Sequence, residues 1–149
     1  MKRKKAAAPK TKGFEIDVEA THFLNVDLEV ESAEPLEVLA VALGKRFRIH
    51  HSGPVGRRKH GVYGSLRSSH GKTADRLTRE LCALVEHLPK AARALWNRAR
   101  SRHFDVGVQS GWKVHSHRVL LEPRTVALVA SVGGSIVITT YAPSEKPTA

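Results

Sequence analysis

Apolar and polar positions alternate with a period of two from Phe14 to Val30. Phe14, Ile16, Val18 and Ala20 are interleaved with Glu15, Asp17 and Glu19, and Leu24, Val26, Leu28 and Val30 resume in phase against Asn25, Asp27 and Glu29. This alternation predicts a half-buried strand, as one long bent piece or two, whose outer face is acidic. The period then changes. Leu36, Leu39, Ala40 and Leu43 share one helical face, Pro35 suits a first turn and Gly44 offers a left-handed stop, so a short helix leads to a strand at Arg46-Phe47-Arg48-Ile49.

Residues 52–72 hold five glycines and four serines and predict a long loop or hairpin, with a short strand near Val62 to Leu66. Leu77, Leu81, Leu84, Val85 and Leu88 recur at helical spacing. Pro89 interrupts that pattern and starts a second helix with Ala92, Leu95, Trp96 and Ala99 on its apolar face. A strand from His103 to Val108, a hairpin around Gly111 leading to a strand over Val114 to Leu121, a helix over Pro123 to Val132 and a buried strand over Ser135 to Tyr141 complete the series.

The two ends of the chain share an order of parts. His22-Phe23, Glu34-Pro35, Gly44 and Phe47 to Ile49 are echoed by His103-Phe104, Glu122-Pro123, Gly133 and Ile136 to Ile138. The pattern predicts an α+β fold: a mixed sheet of five to seven strands with helices largely on one face, read as two β-α-β halves in the manner of a duplicated ferredoxin-like unit. Residues 1–12 read as a disordered basic tail, 13–143 as a single α+β domain and 144–149 as a flexible C-terminus.

Composition narrows the function classes. At 149 residues, 41% hydrophobic and 26% charged, the chain can bury one ordinary core without staples. Its lone Cys82 lies on a helical apolar face, where it reads as a small core residue in a reducing, cytoplasmic protein. Met1-Lys2-Arg3-Lys4-Lys5 is followed by no apolar stretch, so it does not read as a secretion signal. The uncharged run from Thr125 to Pro143 is split by Gly133-Gly134, which argues against a membrane span.

The net charge of +11 is laid out in blocks: six Lys/Arg and no acid in residues 1–12, eight Asp/Glu and no base in 13–44, and eight Lys/Arg and no acid in 45–72. Such a layout steers a polyanion or sets a basic segment against the acidic strand face within the fold. The candidate contacts to phosphates or to an acidic partner are Lys2, Arg3, Lys4 and Lys5 in the tail, Arg57, Arg58 and Lys59 in the glycine-rich loop, and Lys90, Arg93 and Arg100, which align with Asn97 on one helical stripe. With aromatics at 5% and no RNA-recognition signature, platforms for stacking bases are few.

Catalytic constellations do not assemble. Gly71-Lys72-Thr73 sits where a phosphate-binding loop would, but the glycine required five residues earlier is Leu66; Thr73 reads as a helix cap. Of nine histidines, His50, His51, His115 and His117 are the one cluster that could hold a metal, and their spacing forces no convergence. Asp105 reads as bonding a turn or pairing with an arginine. No cofactor is implied.

Phe104-Asp105-Val106-Gly107 and Ile136-Val137-Ile138-Thr139-Thr140-Tyr141, with the opening strand Phe23 to Val30, resemble a bacterial family of small uncharacterised α+β domains with a late Phe-Asp-x-Gly strand and a final apolar strand closing on Tyr. Some of its members resemble immunity-type partners of toxins. The resemblance implies protein binding and carries over no catalytic residue; the strong positive charge and Lys-rich tail depart from it. The reading is therefore a non-enzymatic binding module with a protein partner, ahead of a nucleic-acid-binding protein using the tail and loop, and ahead of a metal-dependent enzyme built on the histidines.

Overall fold

The computed structural model describes residues 20–113 and 116–143. The tail cations Lys2, Arg3, Lys4 and Lys5, the first half of the alternating strand pattern, His115 and the C-terminal segment 144–149 lie outside the described residues. Within them lie five strands, β1 (His22–Ser32), β2 (Phe47–Gly56), β3 (Lys59–Leu66), β4 (Ser101–Gln109) and β5 (Ser135–Tyr141), and four helices, α1 (Glu37–Ala42), α2 (Ala74–Glu86), α3 (Lys90–Arg98) and α4 (Pro123–Ser131), in the order β1-α1-β2-β3-α2-α3-β4-α4-β5.

The strands form one mixed sheet in the order β2-β3-β1-β4-β5, antiparallel throughout except for the parallel pair β4 and β5. The class is α+β. The series β1-α1-β2-β3-α2-α3-β4 is a split β-α-β arrangement in which β3 lies between β1 and β2, and α4-β5 adds a crossover at the β4 edge. The sheet does not bear out a duplicated ferredoxin-like unit: the two β-α-β segments exist, but only the second places its strands side by side.

Every helix packs on the same side of the sheet. Val26, Leu28 and Val30 of β1, Val62 of β3 and Phe104 and Val106 of β4 are buried against Leu39 of α1, Leu77, Leu81 and Val85 of α2, Trp96 of α3 and Val129 of α4. The period-two pattern of β1 sends its intervening residues, Asn25, Asp27, Glu29 and Glu31, to the opposite side. Thr73 caps α2 as its position predicts, accepting the Arg76 N–H at 3.2 Å. Cys82 is fully buried, and burial pushes its thiol up to about 12. The lone cysteine is therefore an inert core residue at neutral pH.

Of the two alternatives for residues 52–72, the hairpin is the one formed: β2 extends to Gly56, Arg57 and Arg58 form the turn, and β3 returns from Lys59, with register shifts after Ile49 and Pro54. Its glycines serve the pairing; at Gly64 a Cβ would overlap the Arg48 carbonyl oxygen and the Phe47 ring. Two other expectations are corrected. The strand expected to end at Leu121 is absent from residues 116–121, because β5 already occupies the β4 edge where it would pair. The basic stripe on the second helix is broken: α3 ends at Arg98, Ala99 turns out of helical geometry, and the Arg100 N–H bonds the Glu31 carbonyl at 2.7 Å.

Candidate functional site: the open face of the sheet

Antiparallel pairing fixes which side chains meet on the face away from the helices, because partners in register project to the same side. One row across the sheet runs from Arg48 on β2 through Ser65 on β3 and Asp27 on β1 to Asp105 on β4. The next runs from His51 through Tyr63 and Glu29 to His103. A third sets Glu31 between Gly61 and Ser101. The acidic stripe that alternation predicts on β1 is thus the midline of an open polar face, and β4 adds a further carboxylate to it.

The carboxylates differ in how they are compensated. Glu31 pairs with Lys59 at 2.6 Å and accepts the Tyr63 hydroxyl at 2.6 Å. Those two hydrogen bonds hold its carboxyl below the ordinary value of 4.5. Burial, then the Glu31 hydrogen bond and the charges of Glu31 and Glu29, push Tyr63 up to about 12. By contrast Asp27, Glu29 and Asp105 have no ion-pair partner among the described residues. Burial raises Asp27, and the Asp105 charge adds to it against the opposing influence of His50. Burial and the charges of Asp105, Asp27 and Glu31 likewise raise Glu29, opposed by His103.

Asp105 is only 8% exposed. Its Oδ2 accepts the Thr139 hydroxyl at 2.9 Å, and its Oδ1 has no hydrogen-bond partner among the described residues. Among those residues neither the turn contact nor the arginine partner expected from sequence is present; Asp105 faces Asp27 instead. Beside it on the same face, Asn25 donates to Asp27 at 3.4 Å while its own buried Oδ1 lacks a donor among the described residues. Asn25 is paired with Gly107, whose missing side chain leaves a notch bordered by Leu24 and the Tyr141 ring. Two buried acceptor oxygens therefore flank a gap in a face with uncompensated negative charge. Buried acceptors are normally satisfied, and a carboxylate most strongly by a cationic donor.

Raised carboxyls have a definite consequence for stability. A group whose folded value lies above its unfolded one stabilises the fold below the unfolded value, and that contribution is lost as pH rises through the folded one. Asp27 and Glu29 are therefore a burden near neutral pH. Because like charges directly opposite in a sheet destabilise it, Asp27→Asn is expected to stabilise the fold by up to about 1 kcal/mol near neutral pH. Urea unfolding should show that gain vanishing in acid, where the wild-type carboxyl is protonated; a loss at neutral pH would contradict it.

The basic candidates lie on the β2–β3 hairpin and on or just after α3, and both groups reach the end of β1, where Lys59 pairs with the Glu31 carboxylate and the Arg100 N–H bonds the Glu31 carbonyl. Arg57 and Arg58 sit at the hairpin turn, while Lys59 is spent on Glu31. On α3, Lys90 is exposed, but Arg93 donates to the Val85 carbonyl at 2.9 Å and to Asn97 at 3.2 Å. Of the histidines, the His50 ring lies 3.0 Å from the Ser65 hydroxyl, His51 packs on Tyr63, and His117 lines a separate cavity with Phe23 and Asp75. Among the described residues no three metal-ligating side chains are placed to hold an ion. None of their helices is long and apolar enough to cross a membrane.

Sequence reasoning placed Asn25 beside Asp27 and Glu29 on the acidic stripe but did not give Asp105 or His103 as their companions. The signal for them is non-local: it lies in the β1–β4 register, which only the fold supplies. No protein-family model, no curated protein and no solved structure matches this chain.

Proposed function

We propose that the chain is a non-enzymatic protein-binding module whose open sheet face receives a lysine- or arginine-rich segment of a partner protein. The observation that carries this reading is the pair of donorless buried oxygens, Asn25 Oδ1 and Asp105 Oδ1, set beside Asp27 and Glu29. An ammonium or guanidinium group seated there supplies the missing hydrogen bonds and offsets the charge at once. The family resemblance at Phe104-Asp105-Val106-Gly107 also favours a protein partner. Phosphates fit this face poorly, because its midline is acidic and Lys59 and Arg93 are taken up by internal partners.

The test is calorimetric titration of the chain with a synthetic peptide of alternating lysine and alanine, and separately with duplex DNA. The triple variant Asp27→Asn, Glu29→Gln, Asp105→Asn, checked for its fold by circular dichroism, is expected to weaken peptide binding by at least about tenfold, as loss of close charge pairs does. Equal affinity in the variant overturns the reading. So does a chain that binds only DNA and loses it on replacing Arg57, Arg58 and Lys59 by Ala.

A further inference from the structure

The acidic face has a candidate occupant within the same chain. Residues 1–12 carry six Lys/Arg and no acid, and they precede the strand whose outer face bears Asp27 and Glu29. The described chain begins at a fixed point: the Thr21 hydroxyl accepts the Gly111 N–H at 3.1 Å, and the His22 ring lies 2.9 Å from the Ala20 carbonyl. That end of β1 pairs with the end of β4, His22 opposite Gln109, and so lies next to the Asn25–Gly107 notch.

Distance permits contact. Asn25 and Asp27 lie four and six residues along β1 from Thr21, or about 13 and 20 Å at the rise of a strand. The nine residues from Lys12 to Thr21 span up to about 30 Å when extended. The length of chain between Lys10 or Lys12 and Thr21 is therefore sufficient to span the distance to the notch.

We propose that the basic segment Lys2–Lys12 docks on the open sheet face in cis, placing lysines at the Asn25–Asp105 notch and excluding a competing basic segment until a partner displaces it. This inference rests on the reading that the face receives cationic segments. Charge complementarity, the point of attachment and the buried, donorless Asp105 Oδ1 support it. A tether of this length gives an effective concentration in the millimolar range, so a contact too weak to matter between separate molecules becomes substantially occupied.

The test keeps the full chain and neutralises the tail: Lys2→Gln, Arg3→Gln, Lys4→Gln, Lys5→Gln, Lys10→Gln and Lys12→Gln. A control variant of equal net charge replaces Lys45, Arg57, Arg58, Lys90, Arg118 and Arg124 by Gln. The lysine–alanine peptide is expected to bind the tail variant about five- to tenfold more tightly than wild type, as release of a tethered competitor requires. The control is expected to match wild type. Equal peptide affinity in wild type and the tail variant, or equal tightening in the control, overturns the cis contact and leaves the face as a binding site. Absence of peptide binding in all three proteins overturns the reading beneath it, and the cis contact with it.

Discussion

Replacing Asp75 by Ala is expected to destabilise the chain by about 3 kcal/mol, the cost of stranding two buried or half-buried donors. Asp75 stands in the first turn of α2, yet its Oδ1 accepts the Glu122 N–H at 2.8 Å and the hydroxyl of fully buried Thr125, while Arg79 donates to its Oδ2 at 3.0 Å. Glu122 offers α4 no side-chain cap, so Asp75 caps that helix from across the fold. Burial acts to raise this carboxyl, but the hydrogen bonds from Thr125, Glu122 and Arg79 outweigh it and hold the group below its ordinary 3.8.

The sign is therefore opposite to that of Asp27. Asp75 contributes stability above 3.8 and loses it as pH falls through the depressed folded value. Urea unfolding of Asp75→Asn, which keeps one acceptor, should show a smaller loss than Asp75→Ala near neutral pH; in strong acid Asp75→Asn should converge on wild type, while Asp75→Ala keeps the deficit of the missing acceptor. A midpoint for Asp75→Ala equal to wild type at neutral pH would remove Asp75 from this role.

Trp96→Ala is expected to cost about 3–5 kcal/mol, the range for emptying a buried tryptophan site. The side chain is fully buried, donates its Nε1–H to the Val132 carbonyl at 2.7 Å and meets Phe104 edge-on with centroids 6.4 Å apart. It thereby ties α3 to the end of α4 and to the sheet. Trp96→Phe retains most of the volume but leaves the Val132 carbonyl without its donor, for an expected loss of about 1–3 kcal/mol. Denaturant midpoints for the two variants, read against wild type, check both values; a Phe variant as unstable as the Ala variant would assign the effect to the hydrogen bond instead of the volume.

Local periodicity made much of this fold legible. The alternation through Val26, Leu28 and Val30, the helical spacing of Leu77, Leu81 and Val85, and Pro89 and Pro123 at the approaches to α3 and α4 reflect short-range rules that burial reinforces. The hairpin was harder to read, because Gly53, Gly56, Gly61 and Pro54 carry loop signals while the actual constraint at Gly64 is contact with a neighbouring strand. The candidate site was half legible. Alternation reveals that Asn25, Asp27 and Glu29 face away from the core; that Asp105 joins them depends on strand pairing between distant segments, which has no period of its own. Conversely, two of the basic residues singled out by sequence, Lys59 and Arg93, are absorbed by internal partners.

The most direct test of the open face as the interaction surface is a residue-by-residue NMR titration of the full chain with the lysine–alanine peptide. Amide resonances of Asn25, Asp27, Asp105 and Gly107 are expected to move first and together, and to stay fixed in the Asp27→Asn, Glu29→Gln, Asp105→Asn variant. Resonances on β1 and β4 that remain in place while only Arg57, Arg58 and Lys59 respond, and respond to duplex DNA instead of the peptide, would contradict it.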